Sequence, residues 1–359
     1  MRAGSIPFAE RNTVWRGVLD LLTGRYPSFL FGGSLGAWLP VFHFHDADRS
    51  YLEPYMIFLS ENGYKTVTSD AIAALVRRGI RPSPKSVALC FDDAWKSLQT
   101  DAAPLLKKHG FQAISYVSPA LIAENDLPDN PFVSWAGLRE LHTSGLIDIQ
   151  AHSKHHALVF CDAAIKGFVR PGFSPHIHSR SLIKDHGAQR FLAPDDLGAP
   201  LHMQRSRLSD AMAYDDESVR EACMHHVREN GGDSFFARPT WEHELRLVAE
   251  SSGPGRFETE DERDAEILKE LIEAREMLNS RLGTDSVRHM CFPWAICGKT
   301  AEQAAKKAGY ETAFGDRLFG KRSVRAGDNP YRLMRLKHQH IYCLPGKGRR
   351  TLPGRLLPS

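Results

Sequence analysis

Short apolar runs alternate with amphipathic helical patterns from about residue 34 to 160, and the alternation resumes from about 260 to 340. This rhythm constrains the fold most, because a strand that is followed by a helix returns as a parallel neighbour. The expected strands are Leu35–Phe44, Ser86–Phe91, Gln112–Val117, Leu146–Ala151, Val287–Phe292, Glu311–Phe314 and Leu333–Leu336. Helical spacing recurs near 50–62, 69–79, 98–109, 134–145, 262–281 and 300–309, and several of these stretches end in Gly, a common helix stop. Seven strands with helices between them predict an α/β fold, a seven-stranded barrel of the β/α kind.

Between residue 157 and about 258 the rhythm fails in a stretch rich in His, Arg, Pro, Gly and acidic residues, with weak helical patterns near Asp216–Asn230 and Trp241–Ala249. A structureless loop of that length does not suit a compact domain, so a cap subdomain over the barrel mouth is expected. The expected organisation is an N-terminal extension (1–33), a first barrel part (34–159), the insertion (160–258), a second barrel part (259–342) and a basic tail (343–359).

The 359 residues, 42% hydrophobic, suffice for a large core, and a net charge of +3 provides no global basic field for nucleic acid. No apolar stretch is long enough to span a bilayer, and charges interrupt the first twenty residues where a leader needs its apolar segment. A cytoplasmic protein is expected, or a periplasmic or extracellular one if a leader was removed. Homo-oligomerisation is left open. Six scattered cysteines read as reduced, mostly buried thiols rather than as a disulfide framework.

Three segments carry chemistry. Cys90-Phe91-Asp92-Asp93 places two adjacent carboxylates after an apolar strand, an arrangement costly to bury without a nearby positive charge. A divalent cation would supply it, one carboxylate binding the ion and its neighbour deprotonating an activated water. His152-Ser153-Lys154-His155-His156 directly follows another strand. His152 and His156 can converge on one ion if the chain turns helically, with His155 as the alternative second ligand. Cys291-Phe292-Pro293-Trp294 closes a third strand, where Pro293 fixes a turn, the Trp294 N–H could face an oxyanion and its indole could line a sugar site. His45, His338 and His340 also follow strands, so all these groups fall on the rim where β/α barrels carry function.

Taken in order along the chain, these segments resemble the polysaccharide deacetylase family, the NodB-homology or carbohydrate esterase family 4 enzymes. Pro40–His45 is similar to the opening strand, FDD at 91–93 to the first catalytic motif, HSKHH to the histidine motif, FPWAICG to the aromatic-proline motif and YRLMRL to the closing strand. The resemblance covers residues 38–159 and 260–337, and it implies that the seven-stranded (β/α) barrel is a distorted one, with a large insertion. It implies metal-dependent hydrolysis of an N-acetyl or other N-acyl group on an amino sugar in a glycan or glycoconjugate. It implies Asp92 as general base, Asp93, His152 and His156 as metal ligands, and the Trp294 N–H as a stabiliser of the tetrahedral intermediate. The ion would be Zn2+, with Co2+, Mn2+ or Ni2+ as alternatives. Pro293, Trp294 and His45 are expected to contact substrate, and His338 is offered as general acid.

Two departures stand out. Cys291 occupies the place where many members carry an Arg that orients the base, and the family's late Leu-x-His motif is not recognised, although His338 and His340 lie in about its region. The competing readings are a deformylase of lipid-linked amino sugars, a noncatalytic glycan-binding protein on the same fold, and a non-haem iron oxygenase.

Overall fold

The computed structural model describes residues 27–316 and 324–351. The expected extension 1–33 and tail 343–359 therefore lie partly outside the described residues. Within them the chain divides into two compact units, one comprising the barrel and the other residues 156–267 with 298–301.

The barrel wall is built from β1 (Val41–Phe44), β2 (Ser86–Asp92), β3 (Ala113–Val117), β4 (Ile147–Ala151), β5 (His289–Cys291), β6 (Thr312–Asp316), β7 (Leu333–Met334) and β8 (Leu336–Lys337). All pairings along the path β7-β6-β5-β4-β3-β2-β1-β8 are parallel. Every residue of β2 is buried, which explains why this central strand reads as one apolar run rather than an alternation.

Closure is effected by five residues. β7 pairs with β6 through Leu333, β8 pairs with β1 through Leu336, and Arg335 is the switch point between them. The path thus holds eight strand segments where seven were expected, because the last expected strand, Leu333–Leu336, is divided at Arg335. Where β4 meets β5 the ladder is sparse, with one registered pair, Met290 and Ala151. There the Gln150 carbonyl oxygen accepts the N–H groups of Arg288 and His289 at 3.0 and 2.9 Å, a side chain standing in for missing strand bonds.

Between the strands lie α1 (Arg49–Glu61), α2 (Ser69–Arg78), α3 (Ala103–His109) and α4 (Trp135–Thr143). α2 and α3 end on Gly79 and Gly110, whose φ angles of 70° and 66° place them in the left-handed region. The first strand is shorter than expected. Residues 35–40 are irregular instead, with a turn at Gly36 (φ 58°) and Pro40 lacking a donor for the ladder.

The second unit is built from two-stranded antiparallel pairs such as Leu158–Phe160 with Gln204–Ser206 and Leu182–Asp185 with Ala188–Phe191. It also contains α5 (Glu217–Glu229) and α6 (Trp241–Ser251). Val219, Cys223, Val227 and Leu245 on these helices pack with Phe168 and Phe235 into a core of its own. The long α7 (Glu260–Leu282) then leads back towards β5, and α8 (Lys299–Lys307) precedes β6.

Candidate active site

The carboxyl end of β2 carries the Asp pair, and strand hydrogen bonding continues past the strand to hold it. The Asp93 N–H donates to the Tyr116 carbonyl at 2.9 Å, and one strand over the His152 N–H donates to the Val117 carbonyl at 2.8 Å. Both residues thereby inherit the rigidity of the wall. Among the described residues, eight other than glycine have positive φ, and six of these are Asp93, Ala94, Ser153, His156, Trp294 and Ala295. Such backbone is unfavourable for residues bearing a Cβ and tends to collect where a fold holds functional groups.

Asp92 is buried and fully engaged. Arg335 donates through both terminal nitrogens, Nη1 to Oδ1 at 2.6 Å and Nη2 to Oδ2 at 2.8 Å, a bidentate charge-assisted pair. Burial pushes the Asp92 carboxyl up, but the Arg335 guanidinium outweighs it and, with the nearby imidazoles, holds the group well below the usual carboxylate range. The orienting guanidinium therefore comes from the closing segment, 243 residues away in sequence, while Cys291 is buried without charge. Sequence reasoning passed over Arg335, although an Arg inside the apolar run of YRLMRL was a visible signal.

Asp93 is the opposite case. Burial, reinforced by the charge of Asp92, pushes its carboxyl up to about 8, against a hydrogen bond from Trp95 that acts downward. His152 Nε2 lies 3.8 Å from Asp93 Oδ1. His152 Nδ1 is 2.6 Å from the Cys291 carbonyl, which can only accept, so Nδ1 carries the proton and Nε2 presents a lone pair. Burial lowers the His152 pKa to about 4, so the ring is neutral at ordinary pH.

Ligand atoms of Asp93, His152 and His156 all lie within 4.8 Å of one another. A neutral imidazole with a lone pair turned to a carboxylate that burial disfavours as an anion is a donor set that fits a divalent cation. His155 lies elsewhere. Its backbone N–H and Nδ1 both reach Glu270 on α7, each at 2.7 Å. His43 and His45 also approach Asp92, but both Asp92 oxygens are already held by Arg335.

Pro293 is buried and Trp294 half-buried in a tight turn after β5, with Trp294 at φ 55° and ψ 13°. The turn rests on Gly315 of β6, where a Cβ would come within 2.7 Å of the Phe292 ring. His45 is exposed (61% of its side chain), with Nε2 3.9 Å from Asp92 Oδ2. His338 is stacked on Phe44 at 5.1 Å, bonded through Nε2 to the Tyr51 hydroxyl and also bonded to the His43 backbone.

Residues 79–187 match the model of the family described as polysaccharide deacetylase. The chain is 30% identical over 89 residues to YxkH of Bacillus subtilis, an alignment covering 23% of this chain and 32% of that relative. It is 30% identical over 121 residues to the poly-beta-1,6-N-acetyl-D-glucosamine N-deacetylase of Escherichia coli K12, covering 31% of this chain and 18% of that enzyme. The chain thus aligns with about a third or less of each of these curated relatives. Among solved structures, the BpsB deacetylase domain of Bordetella bronchiseptica aligns over 85% of this chain and 97% of its own, with TM-score 0.51 and 17% identity. A de-N-acetylase from Aggregatibacter actinomycetemcomitans covers 83% and 94%, with TM-score 0.50 and 17% identity. These two likenesses establish a shared fold. The family match runs through both the Asp-Asp segment and the histidine segment, so residues 79–187 are similar to the polysaccharide deacetylase family at the two stretches that carry the candidate site.

Proposed function

We propose that this chain removes an N-acyl group, an acetyl in the first instance, from an amino sugar within a glycan. One observation carries the reading: two adjacent buried carboxylates have opposite fates, Asp92 locked as an anion by Arg335 and Asp93 turned to a neutral imidazole. That asymmetry divides the roles of base and ligand between neighbours.

A divalent cation held by Asp93, His152 and His156, zinc being the commonest fit to two imidazoles and a carboxylate, would supply Lewis acidity to the acyl carbonyl and the attacking water. Asp92, ionised and fixed by its clamp, takes the proton from that water as its oxygen bonds to the acyl carbon. The Trp294 N–H, in its left-handed turn, is the proposed donor to the oxygen that gains charge. The C–N bond then breaks, and the amine leaves with a proton from an imidazole. His45, exposed and beside Asp92, is the better-placed donor, while His338 is tied to Tyr51 and the His43 backbone. Pro293 and Trp294 form the wall against which the sugar sits.

The test is acetate and formate release from N-acetylated and N-formylated amino-sugar oligomers after loading with Zn2+, Co2+ or Mn2+. Wild-type turnover with loss in both Asp92→Asn and His152→Ala is expected. Turnover unchanged in both variants, or none in the loaded wild type on any substrate, defeats the proposal.

A further inference from the structure

From His152 to His156 the chain does not turn helically. None of residues 152–156 is helical, and Ser153 and His156 take φ angles of 63° and 51°. Two rings on such a loop have no intrahelical bonds to fix their spacing, so the spacing depends on what grips the loop from outside. The segment after β3 supplies two bonds. The Ser118 hydroxyl donates to the His152 carbonyl at 2.7 Å, and the Ala120 N–H donates to the Lys154 carbonyl at 3.0 Å.

α7 supplies three more. Glu270 Oε1 accepts the His155 N–H and Oε2 accepts from His155 Nδ1, both at 2.7 Å, while Glu273 accepts from Lys154 Nζ at 2.7 Å. The two carboxylates are unlike. Lys154 and Glu273 are partly exposed, at 21% and 34% of their side chains, and a pair of that kind contributes little. Glu270 is buried and spends both oxygens on one residue. Burial pushes its carboxyl up, but the bonds from His155 outweigh this and hold it below the usual range, so it is an anion that only accepts. A buried anion is an expensive way to dock a helix, and α7 does not need one, because Leu271, Ala274 and Leu278 already give it a fully buried apolar stripe. Its place in the chain suggests another use. His155 is the last residue of the barrel unit before the inserted unit and Leu268 the first after it. The Glu270–His155 bonds therefore tie the chain where it leaves the barrel to the chain where it returns, next to a candidate ligand.

We propose that Glu270 is a positioning residue for the metal: through His155 it fixes where His156 stands relative to His152, so that the site is shaped before an ion arrives. This deepens the deacylation reading and rests on its ligand set of Asp93, His152 and His156. Groups that hold ligands in this way act on metal affinity.

The experiment is a Co2+ titration against a competing chelator, with the visible absorption of bound Co2+ recorded, in wild type, Glu270→Leu, Glu270→Gln, Glu273→Ala and His152→Ala. Glu270→Leu should weaken Co2+ binding about 10- to 100-fold and change the absorption band. Glu270→Gln keeps an oxygen for the His155 N–H and should return affinity to within about threefold of wild type, and Glu273→Ala should match wild type. Wild-type affinity in folded Glu270→Leu overturns the proposal, as does an equal loss in Glu270→Leu and Glu273→Ala, which would assign the effect to docking of α7. If Glu270→Leu does not fold, His155→Phe decides by removing the ring bond alone: weaker binding with an altered band supports the proposal, and unchanged binding overturns it. Co2+ binding that His152→Ala leaves intact also overturns it, since the ion then lies elsewhere. Co2+ bound with the expected ranking by a protein that deacylates no substrate defeats the functional reading alone.

Discussion

The barrel and the inserted unit each bury a bidentate arginine–carboxylate pair and a histidine–aspartate pair, and the two sets differ in what is left over. In the inserted unit Arg207 grips Glu258 at 2.8 and 2.9 Å, and Asp216 accepts from Arg220 at 2.7 Å while His202 lies 3.1 Å away. Each carboxylate there has a guanidinium of its own. In the barrel Arg335 serves Asp92 alone, and Asp93 beside it is pushed up to about 8. A buried ion pair is therefore no mark of a site. The mark is a buried carboxylate facing a lone pair on strained backbone.

This contrast can be broken most directly at Asp92. Asp92→Asn should reduce deacylation by roughly a thousandfold or more, with the circular dichroism spectrum preserved. Loss of less than tenfold would place Asp92 in the same class as Glu258. Next comes the clamp itself. Arg335→Met leaves a buried carboxylate unpaired and should cost about 3 to 5 kcal/mol of stability as well as roughly a hundredfold in kcat. The matched change Arg207→Met should cost a similar stability, read by denaturant titration, while turnover per folded molecule stays unchanged. Replacing both partners sharpens the comparison. Arg207→Met with Glu258→Leu should recover most of the lost stability and remain active, whereas Arg335→Met with Asp92→Leu should recover stability without activity.

The smallest expected effect is on pH. Asp93, with a folded value of about 8 above its unfolded 3.8, holds a proton that the unfolded chain releases, so its contribution is present at low pH and lost as pH rises towards 8. His152 works in the other direction, but only between about 4 and 6.5. In chelator the melting temperature should therefore fall by roughly 2 to 4 °C between pH 6.5 and 8. Asp93→Asn should flatten that fall, and a bound cation should reverse it. A wild-type fall identical to that of Asp93→Asn would show that Asp93 is not the group responsible.

The wall was legible because its central strands are fully buried: Ser86–Asp92 and Ala113–Val117 have no exposed face to confuse the pattern. Leu35–Pro40 was read as strand because it is equally apolar, and only the turn at Gly36 separates them. The inserted unit resisted reading for a different reason, since its strands are two to four residues long, shorter than any periodicity. In the candidate site, Asp92, Asp93, His152 and His156 were visible as local clusters on strand ends. What holds them was not. Glu270, which captures His155, lies 115 residues downstream, and Arg335 lies 243 residues from its carboxylate. Contacts at such separations leave no periodic trace; an arginine within an apolar strand hints at a buried anion but does not say which one.

The placement of Arg335 at the seam where β7 gives way to β8 couples chemistry to topology. The guanidinium can reach Asp92 only after the last wall segment has joined both its neighbours, so on the proposed role of Asp92 a half-assembled ring would leave the base unsteered. Turnover would then report that the ring is shut. A one-residue insertion or deletion within 333–337 should abolish the proposed deacylation by throwing the guanidinium out of phase, even if the rest of the wall still assembled.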